Sequence, residues 1–487
     1  METAPDTELA RKLEFKDLLV YGVGVILGAG IYALIGKTAL MAGNSVWISF
    51  IISALIATFT AFSYAELSCI SAKTAAEAHY VEAAFKKKLL SFLVGWSMIA
   101  MGVASAATVA LGFSGYFVDL LLPAMAGVVI VSASVITVSP ITVIAAILVI
   151  VLAYIGFIGI KESARLNMVF TLIEVFGLLL IIALGAFFIL GNGFPAIDYA
   201  EMPNGLSGLI GAVTLIFFAY VGFEQIVNVG EEVKNPEKTI PRALVGAILI
   251  ATLLYILVAV AAVSVVNWQA LGESPAPLRL VAETALPGTG GLLSLIALFA
   301  TANTVLIILI VNARIIYGMS KQGMFPKFLS KVHDKNRTPI NAIIISTLIA
   351  GAFAFLKDIS TVAEMTNFSI FLVFFFVNLA LIKMRFTDNY RCMYFKSPVN
   401  IGRLPVLALL GAISCFLALA SYVVKFTDVI TVHFSESFIM SVGILAVGVV
   451  VFIILDALDL VEFDYIKIRK RKQPLLAGVK DVIVKAP

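Results

Sequence analysis

Long apolar runs separated by short polar stretches make up most of the chain. A helix needs about 20 predominantly apolar residues to cross the hydrocarbon core of a bilayer. The pattern therefore predicts an all-α integral membrane protein with about 12 transmembrane helices. The predicted spans lie near 17–42, 46–68, 89–121, 141–160, 166–190, 205–230, 241–266, 290–316, 339–356, 362–383, 403–424 and 436–457.

Composition and charge placement agree with this pattern. The chain is 61% hydrophobic and 13% charged, with a mean hydropathy of +1.06, whereas soluble domains are roughly 45–50% apolar and about 25% charged. Of the 34 lysines and arginines, four fall on the face opposite the N-terminus: Lys37, Arg279, Lys357 and Lys425. The positive-inside rule then predicts a multi-pass protein of the cell membrane with both termini in the cytoplasm.

Candidate catalytic chemistry is sparse. The three cysteines have no metal-type or paired spacing, and the three histidines are scattered. We find no nucleophile–base pair and no nucleotide-binding loop. We therefore expect no enzyme activity, no cofactor, no metal and no nucleic-acid partner.

Glycines interrupt the first span. Gly22, Gly24, Gly28 and Gly30 lie within nine residues, and each lowers helix stability by about 1 kcal/mol relative to alanine. Close helix packing through Gly24-x-x-x-Gly28 is one interpretation. The other is a helix that unwinds at Gly28-Ala29-Gly30, where freed backbone groups line a cavity and carry partial charges.

A second interruption is predicted in the sixth span, at Phe217-Phe-Ala-Tyr-Val-Gly-Phe-Glu224. A glycine, bulky aromatic residues and an acid occur together there, five spans after the glycine cluster. Corresponding interruptions in two halves of a chain indicate a transport site near the bilayer midplane. Spans 1–5 and 6–10 would then be inverted repeats, at about 17–190 and 205–384, because an odd number of spans per repeat reverses the second copy.

These segments resemble motifs of the amino acid–polyamine–organocation (APC) transporter superfamily, most closely its cationic-amino-acid-transporter-like branch. The first-span segment Gly24–Tyr32 and the sixth-span segment Phe217–Glu224 are similar to its signatures. So are Glu231–Lys238 and Tyr317–Pro326, in the loops after spans six and eight. The resemblance covers about 15–422. It implies a LeuT-type fold of ten core helices in inverted repeat with broken helices 1 and 6, two peripheral helices, and amino acid uptake by alternating access.

The resemblance also implies domain limits and one local departure. We expect a cytoplasmic N-terminus at 1–16, a transmembrane core at 17–384, a cytoplasmic loop at 385–402, peripheral helices at 403–457 and a basic cytoplasmic tail at 458–487. The family usually carries a glycine-rich turn between spans two and three. Here Lys73–Tyr80 has alanines where glycines are expected, which leaves the geometry of that turn open.

The resemblance assigns a substrate site to the two interruptions. The backbone N–H groups of Ala29 and Gly30, next to Gly28, would hold a substrate carboxylate. The carbonyls of Ile26 and Val221 would accept hydrogen bonds from its ammonium group. Phe218 would lie over the substrate as a gating aromatic ring. Near the expected pocket, span three offers small residues such as Ala100, Gly102 and Ala104 and no acid, so we expect neutral amino acids.

Two acids inside spans are candidates for gating and coupling. In relatives, the position of Glu224 links the substrate site to the cytoplasmic gate; the alternative is a neutral glutamate that fixes helix packing. Glu174 occupies a position where proton-coupled relatives often carry a lysine. It would face Thr301, Asn303 and Thr304 of span eight. Desolvation would favour a protonated Glu174, although a sodium site or a purely structural acid stays open.

Several functions therefore remain open at this point. The leading prediction is a transporter that carries an amino acid together with a proton across the membrane. Its expected partners are the amino acid, the proton and membrane lipid. An exchanger, a sodium-coupled symporter, a carrier of cationic amino acids or polyamines, and a sensor that does not transport are the alternatives. The acids Glu66, Glu231 and Glu232, at span ends, are expected to pair with nearby lysine or arginine.

Overall fold

In the computed structural model, about four fifths of the described residues are in helices. It describes residues 9, 11–125, 128–132, 137–193, 197–274, 276–355, 359–387, 394–422, 424–426, 430–432, 436–458 and 460. Most of the predicted N-terminal segment and the basic tail therefore lie outside the described residues, as does Cys392.

The described helices run in the following order. They are α1 (Phe15–Leu27), α2 (Ala29–Ala42), α3 (Val46–Ile70), α4 (Ala76–Phe85), α5 (Lys88–Leu121), α6 (Pro140–Ile158), α7 (Ile160–Asn192), α8 (Gly205–Tyr220), α9 (Gln225–Asn228), α10 (Pro236–Val265), α11 (Trp268–Glu273), α12 (Pro277–Ala285), α13 (Gly290–Lys321), α14 (Ile340–Phe353), α15 (Ile359–Arg385), α16 (Val406–Ser421) and α17 (Glu436–Ala457).

Short 3₁₀ turns and hairpins complete the described elements. The 3₁₀ turns are Gly43–Ser45, Pro123–Met125, Gly230–Glu232 and Lys327–Ser330. Three two-stranded antiparallel hairpins pair β1 (Val131–Ser132) with β2 (Thr137–Val138), β3 (Asn400–Ile401) with β4 (Leu404–Pro405), and β5 (Val424–Phe426) with β6 (Ile430–Val432). The β1–β2 hairpin lies between α5 and α6.

The number of membrane spans agrees with the apolar pattern. Among the described residues, ten helical stretches are long and apolar enough to cross a bilayer, and two shorter apolar helices, Ile340–Phe353 and Val406–Ala420, fall where spans nine and eleven are predicted. The outer faces carry large apolar side chains, such as Leu190, which is 85% exposed. Such a surface suits lipid rather than water, because lipid imposes no penalty on apolar exposure. The predicted fold class is confirmed.

Helix packing places the two broken helices in the middle of the bundle. α1 packs against α7 and α10, and α2 packs against α8. α13 packs along α5 and is buried over most of its length, whereas α17 is largely exposed. The interruptions in spans one and six therefore lie against each other inside the protein.

The turn before α4 keeps its shape without glycine. Ala75 adopts the left-handed conformation, with φ +52° and ψ +49°, and is fully buried. A non-glycine residue in this conformation costs about 1–2 kcal/mol. The surrounding packing thus holds an alanine in a conformation that usually selects glycine.

Buried ion pairs connect the span ends on the N-terminal side. Arg385 donates to Glu66, with Nη2 2.5 Å from Oε2, and Arg314 lies 3.2 Å from Glu232. The backbone N–H of Ser397 also donates to Glu66. The pairing expected for Glu66 and Glu232 is confirmed. Glu231 instead accepts hydrogen bonds from the backbone N–H and the hydroxyl of Thr74.

Candidate functional site

The first helix break lies at Gly28. α1 ends at Leu27 and α2 begins at Ala29, with φ −38° and ψ −154° at Gly28 between them. A side chain at Gly28 would collide with the Thr304 hydroxyl on α13. The glycine therefore permits both the break and the close approach of α13, so the unwound-helix interpretation is the better of the two.

The second break covers Val221 to Glu224. α8 ends at Tyr220, and the short helix α9 begins at Gln225. Gly222 has φ +126°, which L side chains rarely adopt, and a Cβ there would lie 3.0 Å from the carbonyl oxygen of Val25. Glycine is thus required at this position for the conformation and for contact with span one.

The two breaks border one internal cavity of about 60 Å³. Its wall includes five of the predicted substrate-binding residues: Ile26, Gly28, Gly30, Phe218 and Val221. The sixth, Ala29, opens α2. The opposite wall comes from α5 and α13 and carries Met101, Gly102, Ser105, Val109, Thr304, Ile308 and Asn312. None of the described residues that line this cavity is charged.

Tyr255 on α10 links the two breaks and was not singled out by the sequence. Its hydroxyl lies 2.5 Å from the carbonyl oxygen of Ile26 and 3.0 Å from that of Ala219. The phenol proton is therefore shared between carbonyls that helix breakage leaves without helical partners. One lone pair of the Ile26 oxygen is engaged by Tyr255, and a second remains for a ligand.

We expect the Tyr255→Phe variant to lower the initial rate of substrate uptake by roughly tenfold, because two buried carbonyl groups lose their shared donor, at about 1–3 kcal/mol for an unsatisfied group. Uptake into proteoliposomes, at equal amounts of folded protein, measures this effect. Tyr154→Phe is the control, since Tyr154 is 63% exposed on α6. Equal rates for the two variants would show that the bridge is dispensable.

Glu174 is fully buried on α7 beside a cluster of amides and hydroxyls. Its Oε1 accepts a hydrogen bond from Asn303 Nδ2 at 3.2 Å, and the same amide lies 3.2 Å from the hydroxyl of Thr171. Asn167 Nδ2 donates to Asn303 Oδ1 at 2.9 Å. Glu174 Oε2 has no partner among the described residues. The cluster lies directly behind span one, because a side chain at Gly24 would contact its members.

The three span-eight residues expected near Glu174 make different contacts in the structure. Asn303 contacts Glu174 as described. Thr301 donates to the carbonyls of Ala297 and Leu298 in its own helix. Thr304 lies on the cavity side, against Gly28. The structure thus joins Glu174 to Asn303, and Thr304 lies at the cavity between the two breaks.

Glu224 is fully buried at the end of the second break. Its Oε2 accepts from the backbone N–H of Gly222 at 2.8 Å, and its Oε1 accepts from Gln225 Nε2 at 2.8 Å. The side chain therefore stabilises the unwound segment from which it projects. This geometry is compatible both with a gating residue and with an acid that fixes packing.

A further buried acid, Glu77 on α4, was not predicted as a candidate. Both of its carboxylate oxygens lie close to Asn228 Nδ2, at 3.0 and 3.1 Å. Burial raises the pKa of Glu77 to about 8, against the lowering effect of the Asn228 hydrogen bond. Asn228 lies one helical turn after Glu224, so this contact joins α4 to the segment that follows the second break.

These features define the class of protein. Two broken helices meet at a cavity, inside a bundle in which ten of the described helical stretches are long and apolar enough to cross a bilayer. That arrangement is typical of secondary transporters.

The sequence profile of the amino acid permease family matches residues 13–454. The chain belongs to this family, within the APC superfamily, and is an amino acid transporter rather than an enzyme. The predicted resemblance, including its cationic-amino-acid-transporter-like branch, is confirmed.

Curated relatives with different substrates are about equally similar. The branched-chain amino acid permease BcaP of Bacillus subtilis is 29% identical over 84% of this chain and 88% of its own length. The methylthioribose transporter of the same organism is 29% identical over 84% and 87%. The vacuolar cationic amino acid transporter 4 of Arabidopsis thaliana is 27% identical over 78% of this chain, which spans 64% of that relative.

Proposed function

We propose that this transporter is a proton-coupled symporter of neutral L-amino acids that works by alternating access. The observation that carries the proposal is the buried Glu174–Asn303 pair, placed directly behind the substrate cavity. Each step of the proposal assigns a role to a separate part of the site.

The two breaks recognise the zwitterion common to all α-amino acids. The N-terminus of α2 presents the backbone N–H groups of Ala29 and Gly30, which suit a carboxylate. The carbonyls of Ile26 and Val221 accept from the ammonium group, and Phe218 closes over the substrate. Backbone groups supply this recognition without the cost of a buried charged side chain.

The uncharged lining of the cavity supports neutral substrates. A cationic or anionic side chain would lie there without a partner, and an unpaired buried charge costs several kcal/mol. Relatives named for branched-chain and for cationic amino acids match this chain about equally well. The proposal that the substrates are neutral amino acids therefore rests on the uncharged lining of the cavity.

Glu174 takes up the coupling proton. An ionised carboxylate in this place would have one amide donor and no described cation, so the neutral form is favoured by desolvation. Asn303 turns its NH₂ group toward Glu174, and Asn167 occupies its oxygen. A sodium ion would instead require several oxygen ligands around Glu174. We therefore favour the proton as the coupling ion.

The remaining assignments concern gating, domains and location. Glu224 connects the cavity to the gate on the N-terminal side. Residues 17–384 form the core, as two inverted repeats at about 17–190 and 205–384, with peripheral helices at 403–457. The asymmetry of positive charge supports a cell-membrane protein with both termini in the cytoplasm.

Uptake of a panel of radiolabelled amino acids into proteoliposomes tests the proposal. We expect neutral amino acids to accumulate under an inward proton gradient and not under an inward sodium gradient. Accumulation driven by sodium would assign Glu174 to a cation site, and gradient-independent counterflow alone would identify an exchanger. Binding without any flux would identify a sensor, and efficient transport of a carboxylate-free polyamine would contradict the roles of Ala29 and Gly30.

A further inference from the structure

Two amide side chains, from Gln225 and Asn312, line the substrate cavity away from the backbone groups of the breaks. Gln225 is the first residue of α9, and Asn312 lies on α13. They are only 7% and 2% exposed. Buried polar groups generally have hydrogen-bond partners. An amide oxygen without a donor in the protein therefore indicates that a ligand supplies one.

The Gln225 side chain has its amide nitrogen fixed and its oxygen free. Nε2 donates to Glu224 Oε1 at 2.8 Å. A carboxylate accepts and does not donate, so this contact determines which end of the amide is the nitrogen. None of the described hydrogen bonds is donated to its Oε1, and the Gln225 side chain lines the cavity.

The amide of Asn312, on the opposite wall, also has a nitrogen that donates and an oxygen that accepts no described hydrogen bond. Its Nδ2 lies 3.5 Å from the carbonyl oxygen of Ile99. The amide packs against Gly102 of α5, where a Cβ would collide with Asn312 Oδ1 and lie 2.7 Å from its Cγ and Nδ2. Its Oδ1 also accepts no hydrogen bond from the described part of the chain. Glycine at position 102 thus makes room for a polar group rather than for a larger apolar substrate.

The size of the cavity limits the occupant. A single water requires roughly 10–15 Å³ of cavity volume, and this cavity has about 60 Å³. Such a limited space favours small amino acids over aromatic ones.

We propose that Gln225 and Asn312 are specificity-determining residues that select small neutral amino acids with a hydrogen-bond donor on the side chain. Serine, threonine and asparagine have the required hydroxyl or carboxamide donor. The inference rests on the proposed function, since it names the substrate class within the neutral amino acids.

Threonine and valine provide the sharpest comparison, because they differ by a hydroxyl in place of a methyl group. A site built to hydrogen-bond a substrate hydroxyl discriminates strongly against the analogue that lacks it, because its own polar groups are then left unpaired. We expect the wild-type protein to transport threonine with a kcat/KM at least roughly tenfold above that of valine. Gln225→Leu and Asn312→Leu should each bring this ratio close to one.

The experiment measures initial uptake of threonine, valine and alanine by wild type and variants in proteoliposomes. Alanine reports on folding and zwitterion binding, because its side chain reaches neither amide. Ile308→Val is the matched control, since Ile308 lines the same wall without a polar atom; it should leave the ratio of threonine to valine unchanged.

A wild-type protein that transports valine as well as threonine would overturn the inference and leave the proposed function standing. The same holds if both leucine variants keep the wild-type ratio while transporting alanine. If no neutral amino acid is transported, the proposed function itself fails and the inference falls with it.

Discussion

In proteoliposomes, the Glu174→Gln variant is expected to lose accumulation driven by an inward proton gradient and to retain exchange of substrate. Glutamine has the shape of the protonated acid and can still accept a hydrogen bond from Asn303, which now bonds Glu174 Oε1 at 3.2 Å. It cannot release a proton, however, so transport is no longer linked to the gradient. The substrate groups lie on the other side of span one and remain intact.

The size of the effect follows from linkage. With one proton per substrate, a gradient of one pH unit corresponds to about 1.4 kcal/mol and therefore supports about tenfold accumulation. The variant should reach a ratio of about one under the same gradient. Counterflow of labelled against unlabelled substrate, without any gradient, should stay within a few-fold of wild type.

Glu237→Gln is the matched control for this measurement. Glu237 lies in the first turn of α10 and its carboxylate makes none of the described hydrogen bonds, so the same change of charge is made away from the cluster. It should accumulate substrate as the wild type does. Unaltered pH-driven accumulation in Glu174→Gln would remove Glu174 from the coupling mechanism, and loss of counterflow as well would indicate damage to the substrate site.

The bundle and its breaks were predictable because their causes are local in sequence. Each apolar run is long enough to cross the bilayer by itself, so its length alone predicts a span. Gly28 and Gly222 stand out because glycines are unfavourable within helices, and the structure places a break at each. The pairing of Glu66 and Glu232 with arginines was predictable from their positions at span ends, near lysine and arginine residues.

The side-chain partners within the site were less predictable because they depend on helix rotation. Successive residues of an α-helix point about 100° apart, so Asn303 and Thr304 face different neighbours: Asn303 meets Glu174, and Thr304 meets Gly28. The Thr301 hydroxyl, which was expected near Glu174, donates within its own helix instead.

Tyr255 and Glu77 gave no usable sequence signal. Tyr255 is one of 14 tyrosines and lies in an unbroken apolar span, so its bridge between Ile26 and Ala219 depends on three helices that are distant in sequence. Glu77 lies in a short loop helix, and its contact with Asn228 joins residues 151 positions apart. Each becomes visible only when the fold brings the partners together.

The Gly30→Ala variant is expected to lower the initial rate of uptake by roughly 100-fold. Gly30 lies in the first turn of α2, where an added methyl group would stand 2.9 Å from the Cα of Ala219 and 3.1 Å from its Cβ. The nearer atom belongs to the backbone of α8 and cannot rotate away, so the two broken helices must move apart. Displacement of binding groups by about 1 Å can reduce a rate by about two orders of magnitude.

Two further variants separate this cause from a general effect of the added methyl group. Gly112→Ala on α5 adds a methyl that meets nothing within 4 Å and should transport at the wild-type rate. Gly30→Ala combined with Ala219→Gly removes the contact with Cβ but keeps the contact with Cα, so it should recover only part of the activity. Wild-type uptake by Gly30→Ala alone would contradict the close approach of the two breaks as a requirement for transport, and with it the assignment of the backbone groups at Ala29 and Gly30 to the substrate carboxylate.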